Sequence, residues 1–321
     1  MRKQQYSIDE LEVGTIIGGG VSPRVRNTFY VDAANGSDGN YGNRIDRALK
    51  TLPVAISRCE TGKYDRIILN ESASFLALAE DPVWSLKYCS LVGTSSGMQG
   101  QRSKISQSTD YGVTADYEMI TVSGEGNLFA NLYTSHGLAT TVKVTLMGWN
   151  ITGNYEVFKR CHFLGPGNTT LGADAGYIGV QVSGTGFQLF EECTFGNLSI
   201  SRIGANANVV CASGTNVLFR DCIFYMFATG TTPYFVSILN TSGIGQWVFE
   251  NCKFINVGTS TLAHAFQVST GGKGIIIDGN CMFVGVSPGG VATTVGGVYI
   301  PCAVGLGATG ANQSLIAINP A

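Results

Sequence analysis

The chain has 321 residues and a net charge of −2, and its charged residues make up only 13% of the total, about half the usual share of roughly 25%. No basic block is present to meet a phosphate backbone, so nucleic acid is not an expected partner. With 43 glycines, and Thr, Ser and Asn crowded between short apolar runs, the composition is that of a turn-rich all-β protein, not a disordered one.

Residues 1–28 contain Gly18-Gly19-Gly20 and Ser22-Pro23 and show neither sheet nor helical periodicity. They read as an extended N-terminal arm for anchoring or assembly, because a terminal arm orders only when something ties it down. The first ten residues lack an apolar signal region, and no stretch has the ~18 apolar residues of a membrane span. The chain is therefore expected to fold in the cytosol, with no membrane partner.

Phe29-Tyr30-Val31-Asp32 reads as a strand, followed by a turn through Asn35-Gly36-Ser37-Asp38. Leu52, Ala55, Ile56 and Cys59 then fall at helical spacing and predict a short amphipathic helix. An open solenoid end exposes strand edges and core, and this helix is the natural cap. Strand-like runs follow at Arg66–Leu69, Lys87–Gly93 and Lys104–Ser106. Together they make a section of cap and entry coils, 29–115, ahead of regular coils over 116–321.

In that second section one phrase recurs: an aliphatic residue, Phe, two variable residues, Cys, one more, Phe. It appears as Val157–Phe163, Leu189–Phe195, Leu218–Phe224 and Val248–Phe254, then as Ile277–Phe283, with a weaker first copy at Leu128–Thr134. From Leu132 through Cys161, Cys193, Cys222 and Cys252 to Cys281 the intervals are 29, 32, 29, 30 and 29 residues. A near-constant period means one supersecondary unit stacked on its neighbours. Each coil has about three strands, and the marker positions rise about 24 Å at ~4.8 Å per rung. The Phe, the Cys and the last Phe should point inward, with a sharp turn between, and Asn251 and Asn280 suit a left-handed turn residue. The five cysteines read as a buried ladder of reduced thiols, since rungs ~4.8 Å apart exceed the roughly 3.5–4.5 Å between Cβ atoms that a disulfide needs.

If the Phe points in, the residue before it points out. Val157, Leu189, Leu218, Val248 and Ile277 would then form an outward aliphatic stripe too long for an ordinary monomer surface, and they are the candidate self-association residues. The alternative is that a loop covers them or that both residues face inward.

Phe29-Tyr30-Val31-Asp32 with Asn35-Gly36-Ser37-Asp38, Lys50-Thr51-Leu52 leading into Ala55-Ile56, Ser90-Leu91-Val92-Gly93 and the repeated Asn-Cys-x-Phe resemble the pectate-lyase-like right-handed parallel β-helix superfamily. The resemblance covers roughly residues 29–300. It implies an all-β, single-stranded right-handed parallel β-helix, and it specifies fold better than function, because the superfamily includes polysaccharide lyases, hydrolases and phage tailspikes. Asn70-Glu71-Ser72-Ala73 departs from it, standing where relatives often have a Gly-x-Tyr turn.

Glycan cleavage normally takes two carboxylates about 5–9.5 Å apart. Glu192 and Asp221 on adjacent coils are the best pair. Against catalysis stands the column two residues before each cysteine, Lys159, Glu191, Arg220 and Glu250, whose alternating sign suits a stabilising ladder, with Arg160 beside Glu192. The calcium-lyase chemistry that the resemblance suggests lacks clustered aspartates here, and Asp32, Asp38 and Asp46 read as turn residues. Gly93-Thr94-Ser95-Ser96-Gly97 matches a nucleophile elbow with no helix after it. His136, His162 and His264 have no metal-ligand spacing. Neither metal nor cofactor is expected. Tyr225, Phe227, Tyr234 and Trp247 are candidate exposed aromatics for stacking on sugars.

By elimination and by that resemblance, the expected role is a non-enzymatic virion structural protein of a tailed bacteriophage. It would be a parallel β-helix homotrimer, assembled in the host cytoplasm, decorating a capsid or forming a tail or collar spike. Other virion proteins would be held through residues 1–28, and host surface glycans are a further candidate partner. The alternatives are a catalytic tailspike glycan hydrolase using Glu192 and Asp221, and a cellular adhesin or surface-layer module.

Overall fold

In the computed structural model, which describes residues 25–70, 76–78, 82–95, 103–107, 117–136, 146–204, 206–212, 214–239, 245–269, 274–287, 290, 292 and 298–299, the chain winds as a right-handed parallel β-helix. Most of the arm, the stretch Glu71–Ala73 and Ser96-Gly97 of the elbow-like motif lie outside the described residues. The regular coils each give one strand to each of three parallel sheets, which have seven, ten and nine strands among the described residues. In one coil these are Tyr177–Val182, Phe187–Glu191 and Thr194–Phe195.

The stack opens on Thr28–Val31, paired with Arg66–Leu69, and the predicted helix forms over Leu52–Arg58 with Leu52 and Ala55 buried. The Asp38 carboxylate accepts from the Lys50 and Thr51 amides and the Thr51 hydroxyl, fixing the approach to that helix. Asp32 accepts from the Ala34 and Asn35 amides, and Asp46 pairs with Arg44. Asp32 and Asp46 thus have local partners, while Asp38 ties its turn to the segment that enters the helix.

Like side chains stand over like. Phe129, Phe158, Phe190, Phe219 and Phe249 form one stack with centroids 4.8, 4.8, 5.1 and 4.9 Å apart. Phe163, Phe195, Phe224, Phe254 and Phe283 form a second, at 5.1, 4.7, 4.7 and 4.7 Å. The two meet edge to face, as at Phe190 and Phe195, 5.5 Å apart, an arrangement that aromatic quadrupoles favour. Between them runs the thiol ladder. Cys161, Cys193, Cys222, Cys252 and Cys281 each donate to the carbonyl of a stack residue one coil below, Phe129, Phe158, Phe190, Phe219 and Phe249, at 3.3–3.4 Å.

The corner before each cysteine is left-handed, with φ of 56° at Asn131, 51° at Arg160, 53° at Glu192, 54° at Asp221 and 51° at Asn251. Only two of these are asparagine. Arg160, Glu192 and Asp221 tolerate the conformation because their amides donate to Glu191, Arg220 and Glu250 of the next coil, at 2.9, 3.0 and 2.9 Å, so no buried donor is lost at the turn.

Three expectations are corrected here. Ile277 pairs with Phe249 and is 1% exposed, and its neighbour Ile276 takes the outward place beside Val248. The corner of that coil holds one residue more, Asp278-Gly279-Asn280, closed by the Asn280 and Cys281 amides on Asp278, and Asn280 is not left-handed. Trp247 is fully buried, donating its indole N–H to the Thr215 hydroxyl at 2.8 Å, and so offers no face to a sugar.

The inner column at the start of the ten-stranded sheet is polar in the early coils. Asn127 donates from Nδ2 to the Leu86 carbonyl at 2.7 Å, and Gln188 from Nε2 to the Gly153 carbonyl at 2.7 Å. Between them Glu156 accepts from the Asn127 amide and Nδ2 at 3.0 and 3.1 Å, and its own amide donates to Gln188. Burial raises the Glu156 carboxyl to about 7, against the lowering effect of the Asn127 bonds and with a contribution from Glu125.

Two outcomes follow from this core. Under native alkylation the half-buried Cys59 and Cys281 should react well before the buried Cys161, Cys193, Cys222 and Cys252, as peptide mass mapping will show. Because Glu156 is harder to ionise folded than unfolded, the stability it lends is full below about 4.5 and lost as pH rises through about 7, on the order of 3 kcal/mol. Urea unfolding across that window should show this decline, and Glu156→Gln, whose amide can sit as that of Gln188 does, should flatten it.

Candidate assembly interface

Alternation along the ten-stranded sheet sends every second residue outward. Leu128, Val157, Leu189, Leu218, Val248 and Ile276 are consecutive partners in its register, and all are half-buried. The predicted stripe is therefore present at Val157, Leu189, Leu218 and Val248, extended by Leu128 and completed by Ile276.

On one flank, two residues on, stands the charged column. Lys159 meets Glu191 at 2.7 Å, Arg220 meets Glu250 at 2.8 Å and reaches Glu191 at 4.0 Å. The bond to Glu250 holds the Arg220 guanidinium above its ordinary value. On the other flank, two residues earlier, are Tyr155, 55% exposed, and Phe187, 61% exposed, followed up the same column by Asn216 and Gln246. Towards the N-terminal end Tyr64 and Tyr88 are also exposed, their rings 5.9 Å apart. Tyr64, Tyr88 and Tyr155 have φ of 59°, 56° and 59°, a conformation costing an L-residue about 1–2 kcal/mol. No sequence rule for turns favours tyrosine there, which is why this aromatic edge was not foreseen.

Glu192 and Asp221 lie at the next corner, both exposed, outside this face. Glu192 sits 4.0 Å from Arg160, and Asp221 accepts from the Asn251 amide group at 2.6 Å. Each carboxylate is tied to a neighbouring coil. His162 binds the Gly196 carbonyl at 2.9 Å, His136 packs on Tyr177, and His264 lies on a separate loop. Among the described residues no group of three His, Cys, Asp or Glu could hold a metal ion, and no helix is long and apolar enough to cross a membrane. Tyr225, Phe227 and Tyr234 are half-buried.

Arg220→Ala should cost about 0.5–1 kcal/mol at low salt and less at high salt, because partly exposed pairs are screened. Chemical unfolding at two ionic strengths measures it.

No protein-family model and no curated protein sequence matches the chain. Solved structures do. The chain is similar to pectate lyase Pel9A, with TM-score 0.55 and 11% identity over 88% of this chain and 82% of that one. It is similar to the pectin methylesterase from Aspergillus niger, at 0.56 and 13% over 85% and 82%, and to the pectin methylesterase from carrot, at 0.50 and 12% over 88% and 82%. At such identities the likeness establishes the pectate-lyase-like parallel β-helix fold alone.

Proposed function

We propose that the chain is a structural protein of a tailed-phage particle, acting as a parallel β-helix homotrimer joined through the outer face of the ten-stranded sheet. The carrying observation is the unbroken outward column from Leu128 to Ile276 between an aromatic edge and an alternating charge ladder. An apolar centre with a polar rim is the anatomy of a permanent interface; here the aliphatic column is the centre and the charge ladder one rim. A ring of three copies would place the same column of each chain about one axis. The engagement of Glu192 with Arg160 and of Asp221 with Asn251 supports a structural use of those carboxylates. Attachment to the particle is assigned to residues 1–28, and a host glycan would be met on surfaces the trimer leaves free.

Light scattering on a sizing column at micromolar concentration should give three times the chain mass. Leu189→Asp combined with Leu218→Asp should give a monomer with an unchanged β-sheet circular dichroism spectrum. A parent protein that runs as a folded monomer would sink the proposal.

A further inference from the structure

Ser201–Arg202 forms a short strand beside Phe227 and Ala228, and its arginine is 2% exposed. Nε donates to Asn206 Oδ1 at 2.8 Å and Nη1 to Asn208 Oδ1 at 3.1 Å. Both acceptors are neutral amides. The guanidinium lies 5.5 Å from the centroid of the fully buried Tyr177 ring. Among the described residues, no carboxylate pairs with Arg202, and Arg202 Nη2 and the Tyr177 hydroxyl have no hydrogen-bond partner. Burial lowers Arg202 only to about 10 and raises Tyr177, so at neutral pH the first is a cation and the second a neutral donor. His136, packed 5.6 Å from Tyr177, is pushed down to about 4 by burial and adds no charge.

Arg202 Nη1, which also carries the bond to Asn208, and the Tyr177 hydroxyl border one glycine-lined spot. A Cβ built on Gly165 would lie 3.6 Å from Arg202 Nη1, 4.0 Å from the Tyr177 oxygen and 3.9 Å from the Gly196 Cα; one on Gly148 would lie 3.8 Å from the same oxygen. A buried charge left unpaired costs several kcal/mol, and a buried donor left unmade costs about 1–3 kcal/mol more. A water would satisfy the donors without neutralising the charge. A negative ion does both.

We infer that Arg202 and Tyr177 form an internal site for a small monovalent anion of the halide class, enclosed between the strands that begin at Tyr177 and Ala207 and the strand His162–Pro166 at Gly165. The inference is independent of how chains assemble. The ion would be a structural part of the folded chain, taken up as these coils close, and the phenol and guanidinium would hold it by charge-assisted hydrogen bonds.

Bromide is the probe. Crystals of the full chain grown in sodium bromide should show an anomalous peak beside the Arg202 guanidinium and the Tyr177 hydroxyl, next to Gly165. Thermal midpoints should be about 2 °C or more higher in chloride than in gluconate at equal ionic strength, since the bulky anion cannot enter. Tyr177→Phe, which removes one oxygen and keeps the ring, should shrink that difference, and Arg202→Met should abolish it. Should Arg202→Met fail to fold, the phenylalanine variant still decides. An ordered water in place of bromide, or equal midpoints in the two salts, overturns the site.

Discussion

Backbone hydrogen bonding that passes unbroken from strand through corner to strand is the constraint on which this molecule depends. The amides of Arg160, Glu192 and Asp221 reach the next coil exactly where an ordinary turn would release them, so each residue is held above its equivalent at about one rung, ~4.8 Å. Every side chain must then tolerate its own kind overhead. Phenylalanine does so by offset stacking, cysteine by donating to a carbonyl of the coil below, and charged residues only by alternating in sign. Lys159, Glu191, Arg220 and Glu250 are the last of these solutions, with both strong bonds under 3 Å.

The same constraint decides what was legible beforehand. A column with one residue type announces itself by period, as the thiol and phenylalanine columns do. A column that changes identity does not. The inner positions Asn127, Glu156, Gln188, Val217 and Trp247 share one register line, yet polar residues at its start look like turn residues and Trp247 looks like an exposed aromatic. A usable signal was present: Gly124-x-x-Asn127 and Gly153-x-x-Glu156 repeat a glycine whose absent side chain leaves room for the polar group, since a Cβ there would lie 2.7 Å from Asn127 Nδ2 or 2.8 Å from Glu156 Oε1. Ile277 was displaced by one place because Asp278-Gly279-Asn280 lengthens a corner, and a shift of one residue reverses the face of a strand.

An outward stripe is the surface counterpart of the inward stacks. In a twisted open sheet, six aliphatic residues at equivalent positions would spread over different faces; on a solenoid they align into one continuous ribbon. Fold likeness to pectin-acting enzymes carries none of this, because the coil framework is compatible with almost any outer sequence. What distinguishes this chain is the choice of residues on that framework: a hydrophobic line flanked by tyrosines whose backbone conformation is unfavourable for them. Residues in costly conformations persist when the surroundings over-determine them, and such positions cluster where surfaces are used.

Among the described residues the register slips beside the Arg202 network. Pairing of His162–Pro166 with the coil below slips between Phe163 and Pro166, and the longest interval between cysteine markers, 32 residues from Cys161 to Cys193, holds the extra helix Thr169–Ala173. With no equivalent in the coil below, Gly165 adopts φ of 80°, and the side chains of Arg202, Asn206 and Asn208 meet there as a network instead of a column. A stack that must match itself at every rung has no place for a lone buried cation. Arg202 is accommodated because the slip beside it at Gly165 relaxes that demand, and the amide oxygens of Asn206 and Asn208, not a column of like residues, take up its donors.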